Sequence, residues 1–165
     1  MAALLKPDLF ASRITHIEPR ELRERGIRGA IVDLDNTLVG FRTLAPLAED
    51  AAWVAAAKEA GVAVVVLTNN ATPWASTVAK NLDVPCIPRA RKPLPRGFLR
   101  ALHLLELQAH EVVVIGDQLF TDVLGARLAG LVVILVDPLV RSDPWNTRPL
   151  RWVERALLRG VPRIS

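Results

Sequence analysis

Apolar runs broken by polar clusters set the reading of this chain. Five short runs are almost free of polar residues: 30–32, 62–67, 84–87, 112–115 and 131–136. Strands buried on both faces of a parallel sheet have this character. Helical stretches lie between them. One opens at Pro46, runs through alanine-rich sequence to about Ala60 and closes at Gly61, with Trp53 on its buried face. Others run from Thr72-Pro73 to about Leu82, from Pro95 to about Leu107, and to Ala129 before Gly130. The alternation predicts an α/β fold: a doubly wound, mainly parallel five-stranded sheet with helices on both faces, joined by right-handed crossovers.

The flanks read differently. Pro7-Asp8-Leu9 looks like a helix start, with Phe10, Ile14 and Ile17 spaced to share a face; Pro19 to Gly26 reads as a short charged helix. Residues 1–28 are therefore expected to form a helical lead-in, with His16 in a surface or packing role. Residues 141–165 carry Trp145, Trp152 and the arginines Arg141, Arg148, Arg151, Arg155, Arg159 and Arg163. They are expected to form a basic C-terminal helix from about 149 to 158, with Trp152, Val153, Ala156 and Leu157 on one side. No repeat, linker or low-complexity segment divides residues 1–165, so a single domain is expected.

Polar residues gather where the runs end. The first run ends in Asp33 and Asp35, the second in Thr68 and Asn69; Lys92 follows the third, and Asp117 and Asp122 follow the fourth. Taken alone, the first pair reads equally well as a strand end capped by solvated acids or as a site. Together the set favours a site, because the carboxyl ends of a doubly wound sheet share one edge, where such folds bind ligands. Carboxylates crowded there repel one another unless a hard, oxygen-loving cation such as Mg²⁺ lies among them. A lysine and a threonine beside that cation suit an anion with several oxygens, such as phosphate. One aspartate can attack phosphorus. A second, two residues along an extended chain, points the same way and can pass a proton.

Composition narrows the partners. The chain has 165 residues, is 51% hydrophobic and carries a net charge of +4. It can bury a core. The excess of base, mostly arginine, favours anionic partners: nucleic acid, acidic lipid or phosphorylated small molecules. The single cysteine, Cys86, excludes an internal disulfide and is expected to pack as a small buried residue. No run approaches the ~20 residues of a membrane span. The first residues lack a secretory pattern, so a cytoplasmic protein is expected. No glycine-rich phosphate loop or Cys/His zinc pattern occurs.

Four motifs in order, Asp33-Leu-Asp35-Asn-Thr37, Leu67-Thr68-Asn69, Arg91-Lys92-Pro93 and Gly116-Asp117 with Asp122, resemble those of the haloacid dehalogenase (HAD) superfamily of phosphatases. The resemblance implies Asp33 as nucleophile and Asp35 as general acid and base. It implies Thr68, Asn69 and Lys92 around the phosphoryl group. It also implies a Mg²⁺ site of Asp33, the backbone carbonyl of Asp35, Asp117 and Asp122, the last as ligand or support. Further likeness in Lys6-Pro7-Asp8, His16-Ile17-Glu18-Pro19, residues 89–93, residues 116–125 and Arg141-Ser-Asp143 is similar to the YqeG family of subclass IIIA phosphatases. Relatives of that family include the mitochondrial phosphatidylglycerophosphate phosphatase. The substrate implied is a phosphorylated lipid or a small metabolite.

Residues 37–46 and 70–92 leave no room for a cap domain, so an open site is expected. In the connector 39–45, Phe41 and Arg42 are either substrate contacts or ordinary loop residues. Arg89, Arg91 and Arg96 either guide an anionic substrate or form a solvated basic loop. The basic tail either solvates its arginines or meets acidic lipid at the inner face of the membrane. Beside the leading expectation of a Mg²⁺-dependent phosphomonoester hydrolase, three others stand: action on a soluble phosphometabolite or phosphoprotein, phosphoryl transfer to another acceptor, and a non-enzymatic RNA- or ribosome-associated binding role. No aromatic-basic RNA motif supports the last.

Overall fold

The structure is a computed structural model describing residues 2–40, 45–139 and 156–164. The predicted runs become β2 (Gly29–Val32), β3 (Ala63–Leu67), β4 (Cys86–Ile87), β5 (Val112–Gly116) and β6 (Val132–Val136). They alternate with α2 (Ala48–Glu59), α3 (Pro73–Asn81), α4 (Arg96–Leu105) and α5 (Leu124–Leu128). The sheet has seven strands rather than five, in the order β4-β3-β2-β5-β6-β1-β7, and every pairing is parallel.

The two extra strands correct the reading of both flanks. Leu9–Ala11 is β1, paired with β6, and not the start of a helix. Asp8 fixes it there: its backbone N–H donates to the Val133 carbonyl (2.9 Å), and its Oδ2 accepts from the Val133 N–H (2.8 Å). Arg127 closes the clip, donating to Asp8 Oδ1 (2.9 Å) and to the Lys6 carbonyl (2.8 Å). Short 3₁₀ turns at Ala2–Leu5 and Ile14–His16 flank this strand, and only α1 (Pro19–Glu24) matches the helical lead-in. Phe10 and Ile14 serve opposite faces of the sheet: Phe10 lies in β1, whereas the 3₁₀ turn after the strand carries Ile14 into the other core. At the other end, Arg163–Ile164 is β7, paired with β1, with the Arg163 guanidinium 4.9 Å from the centre of the Phe10 ring. Ala156 and Leu157 are helical. Leu158 lies in the turn that follows, and residues 149–155 of the predicted helix, with Trp152, Arg151 and Arg155, lie outside the described residues, as do Arg141, Trp145, Arg148, Phe41 and Arg42.

Side chains alternate across the sheet into two cores. Ala30, Val32, Val64, Val66, Val113 and Ile115 pack against α1, α2, α3 and the turn bearing Ile14. Trp53 lies in this core as expected, and its indole N–H donates to the Ile17 carbonyl at 2.7 Å. Ile31, Val65, Leu67 and Val114 pack on the other side against Phe98, Ala101, Val123 and Ala126. Full burial of Phe98 is worth about 3 kcal/mol by area alone. Its ring lies where a Cβ at position 125 would be, so Gly125 is what lets α5 approach.

The chain steps outward from β2 to β3 and β4, then returns to place β5 on the other side of β2. The carboxyl ends of β2 and β5 therefore flank the point where the winding reverses, the place where open α/β sheets hold ligands. Among the described residues no cap domain covers it.

The Asp8 clip yields the first prediction. Asp8→Ala is expected to lower the unfolding free energy by ~1–3 kcal/mol, since it strands the Val133 N–H and frees Arg127. Urea denaturation measures this, and unchanged stability would show that β1 is held by pairing with its neighbours alone.

Candidate active site

Asp33 follows β2 and continues its pairing, its N–H donating to the Ile115 carbonyl at 2.9 Å. The chain then turns tightly: the N–H groups of Leu38 and Val39 both donate to the Leu34 carbonyl, and Asn36 takes a left-handed φ of 64°. The turn directs Asp33 inward and leaves Asp35 half-buried.

Lys92 lies between two carboxylates. Its Nζ donates to Asp33 Oδ1 at 2.5 Å and to Asp122 Oδ1 at 2.6 Å. All three residues are buried, with relative exposures of 8% for Lys92, 7% for Asp33 and 1% for Asp122. Burial opposes the charge on Lys92, but the two aspartates outweigh it and hold its pKa above the ordinary lysine range. Burial likewise pushes Asp33 up, partly countered by Lys92. Asp122 stands on a π-helical turn, Leu119–Val123, and its Oδ2 also accepts from the Gln118 N–H at 3.1 Å. Its carboxylate occupies the space a Cβ at Gly116 would fill, which accounts for glycine at the end of β5.

Asp117 completes the group. One carboxylate oxygen from each of Asp33, Asp117 and Asp122 lies within 4.8 Å of the others. Asp117 Oδ1 is buried and has no hydrogen-bond partner among the described residues. Burial, with the charges of Asp33 and Asp122, pushes Asp117 from 3.8 up to about 8. An orphaned buried carboxylate oxygen facing two more acids fits an oxygen-coordinated divalent cation. The Asp35 carboxylate is not in this group. It accepts from the Thr68 hydroxyl at 3.2 Å, and the same hydroxyl accepts from the Asn70 N–H at 3.0 Å.

Asn69, expected near the phosphoryl group, is engaged with the neighbouring loop. Its side chain holds the Lys92 backbone from both sides: Oδ1 accepts the Lys92 N–H (2.7 Å) and Nδ2 donates to the Lys92 carbonyl (3.2 Å). Thr37 is buried in the β2 turn, its hydroxyl without a partner among the described residues. The structure thus brings together Asp33, Asp117, Asp122 and Lys92, places Thr68 and Asp35 beside each other, and gives the Asn69 side chain a positioning part. Sequence reasoning missed the Gln118 N–H; a backbone donor leaves no trace in residue identity.

The profile of the haloacid dehalogenase-like hydrolases matches residues 4–130. The chain belongs to that family. It is 41% identical over 157 residues to the "Probable phosphatase YqeG" of Bacillus subtilis, covering 95% of this chain and 91% of that protein, and so belongs with YqeG as a HAD-type phosphatase. It is 27% identical over 168 residues to "Phosphatidylglycerophosphate phosphatase 1, chloroplastic/mitochondrial" of Arabidopsis thaliana, covering 93% of this chain but 47% of that protein. The chain thus spans about half the length of this plant relative. The cobalt-bound deoxy-D-mannose-octulosonate 8-phosphate phosphatase of Haemophilus influenzae shares the fold, with a TM-score of 0.58 at 15% identity over 82% of this chain and 89% of that one.

Two predictions arise here. A carboxyl raised in the folded state binds its proton there while the unfolded chain has lost it, so stability falls as pH rises from about 4 to about 8. A cation at Asp117 replaces that proton, so Mg²⁺ should raise the melting temperature more at about pH 8 than at about pH 6. Thermal melts with Mg²⁺ or chelator test this; equal gains at both would contradict it. Separately, Asn69→Ala should lower kcat on p-nitrophenyl phosphate about ten- to a hundredfold by loosening Lys92. A rise in KM with kcat spared would instead mark the Asn69 side chain as a phosphate ligand.

Proposed function

We propose that this protein is a divalent-cation-dependent phosphomonoester hydrolase, with Mg²⁺ as the cation, working through an aspartyl-phosphate. The observation that carries the reading is the buried Asp33 carboxylate, bonded to Lys92 and grouped with Asp117 and Asp122 at the reversal point of the sheet. The carboxylates of Asp33, Asp117 and Asp122, with the backbone carbonyl of Asp35, would hold the cation. Bound there, it would neutralise charge gathering on the phosphoryl oxygens.

The chain's own groups divide the remaining work. Asp33 attacks phosphorus, and the bond to the ester oxygen breaks as Asp35 gives that oxygen a proton. Asp35 then takes a proton from water, which attacks the phosphorus of the acyl phosphate, releases inorganic phosphate and restores the Asp33 carboxylate. Lys92 keeps Asp33 ionised as a nucleophile, since a protonated Asp33 would leave the buried ammonium short of a partner. Thr68 donates to Asp35 in the free protein and orients it. Lys92 and Thr68 also offer hydrogen bonds to the phosphoryl oxygens.

The substrate proposed first is phosphatidylglycerophosphate, supported by the names of the plant and algal relatives. Soluble phosphometabolites and phosphoproteins are the alternatives. An open carboxyl edge admits any of them.

Asp33→Asn should lower kcat on p-nitrophenyl phosphate by about a thousandfold or more, with the fold intact by circular dichroism. Wild-type rates in that variant would end the nucleophile assignment. Turnover of the lipid in mixed micelles tests the substrate; none there, alongside rapid hydrolysis of a soluble metabolite, would remove the lipid.

A further inference from the structure

We infer that Arg89 and Arg91 form a subsite for a second anionic group on the substrate, beside the pocket for the reacting phosphate. This rests on the phosphatase reading above and adds a substrate requirement to it.

The Lys92 loop is tied along its length to the loop after β3. Arg89 N–H donates to the Asn70 carbonyl at 3.2 Å, Ala90 N–H to the Thr68 carbonyl at 3.0 Å, and the Asn69 side chain holds both backbone groups of Lys92. Within this fixed stretch Arg89 and Arg91 both adopt left-handed backbone, with φ of 51° and 56°. That conformation is costly for a residue with a side chain. Ala90 between them is buried, whereas both arginines are exposed. The loop therefore turns Ala90 and Lys92 into the protein and leaves a guanidinium on either side of Ala90 in solvent.

These guanidiniums are uncommitted. Arg13, Arg28 and Arg127 pair with Asp50 and Glu49, Glu111, and Asp8. Neither Arg89 nor Arg91 has an ion pair or side-chain hydrogen bond among the described residues, and neither does Arg96 beyond them. Lys92, the other cation of the loop, already serves Asp33 and Asp122. The reacting phosphate must reach the buried Asp33, so exposed arginines on the same loop meet a part of the substrate farther out. Their planar forks suit a phosphate oxygen pair better than a single apolar or neutral group. The ligand chemistry is a phosphomonoester with a second phosphate-type anion a few atoms away. It comes either from a lipid headgroup, where a phosphodiester lies one glycerol from the terminal phosphate, or from a soluble bisphosphorylated metabolite.

Matched pairs of substrates test it. In mixed micelles, phosphatidylglycerophosphate is compared with phosphatidic acid, which lacks the second phosphate. In solution, deacylated phosphatidylglycerophosphate is compared with glycerol 3-phosphate. p-Nitrophenyl phosphate reports the basal reaction. Wild-type protein should favour the two-phosphate member by on the order of tenfold in kcat/KM. Arg89→Ala and Arg91→Ala should each remove most of that preference through KM, with p-nitrophenyl phosphate hydrolysis unchanged, and the lysine variants should keep part of it. Arg89→Gly and Arg91→Gly, which relieve the left-handed backbone, should behave like the alanine variants if charge is what matters. A preference in both pairs assigns the effect to the phosphate itself; a preference in micelles alone assigns it to the lipid headgroup. Equal preference for both members of each pair, or a parallel loss on p-nitrophenyl phosphate in every variant, overturns the subsite. Wild-type protein inert toward every substrate, p-nitrophenyl phosphate included, overturns instead the phosphatase reading beneath it.

Discussion

A buried ammonium between two buried carboxylates governs the arrangement of this protein. Removing such charges from water costs several kcal/mol per ion, and only close, hydrogen-bonded partners offset it. Lys92 meets that condition through Asp33 and Asp122, each within 2.6 Å. Every part of the arrangement needs a local device. Asn69 fixes the backbone of Lys92, the turn after Val32 aims Asp33, and the missing side chain at Gly116 leaves room for Asp122. The triad carries a net negative charge, and Asp117, whose burial beside Asp33 and Asp122 favours its protonated form, adds to it when a cation displaces that proton. That excess is what a divalent cation would balance.

The sheet makes this convergence possible without long-range adjustment. Parallel pairing puts the carboxyl ends of β2, β3 and β5 side by side, so residues far apart in sequence meet because adjacent strands end at the same level. The register does the rest: Val32 stands opposite Ile115, so Asp33 and Asp117 leave the sheet on neighbouring strands within a residue or two of one another. A one-residue slip would turn Asp33 to the opposite face. The all-buried pattern of β2 and β5 prevents it by filling both cores.

The five apolar runs and the polar residues that end them were legible in the sequence, because burial on both faces demands continuous apolar sequence. The flanking strands were not. β1 has three residues and β7 two, too few for any period to show, and both exist through pairing with distant partners and through the Asp8 clip. Phe10, Ile14 and Ile17 imitated a helical spacing while belonging to a strand, a turn and two separate cores. At the site, residue type gave the acids and the lysine. It did not give the task of Asn69, since an amide suits a phosphate oxygen and a backbone peptide equally well, and only the fold decides which lies within reach.

Burial of Asp33 and Lys92 bears on how a phosphatase with no cap domain among its described residues would exclude water. Many active sites exclude water by closing a lid over the substrate. Here Asp33 and Lys92 are already below a tenth exposed in the free chain. Low exposure of Asp33 is therefore a property of the folded chain, and its cost falls on folding rather than on binding. With Asp33 as the proposed nucleophile, closure would add little to its desolvation, and selection among phosphates would fall to exposed groups nearby. On the Lys92 loop the exposed groups are Arg89, Arg91 and Leu94, the last at 55% exposure.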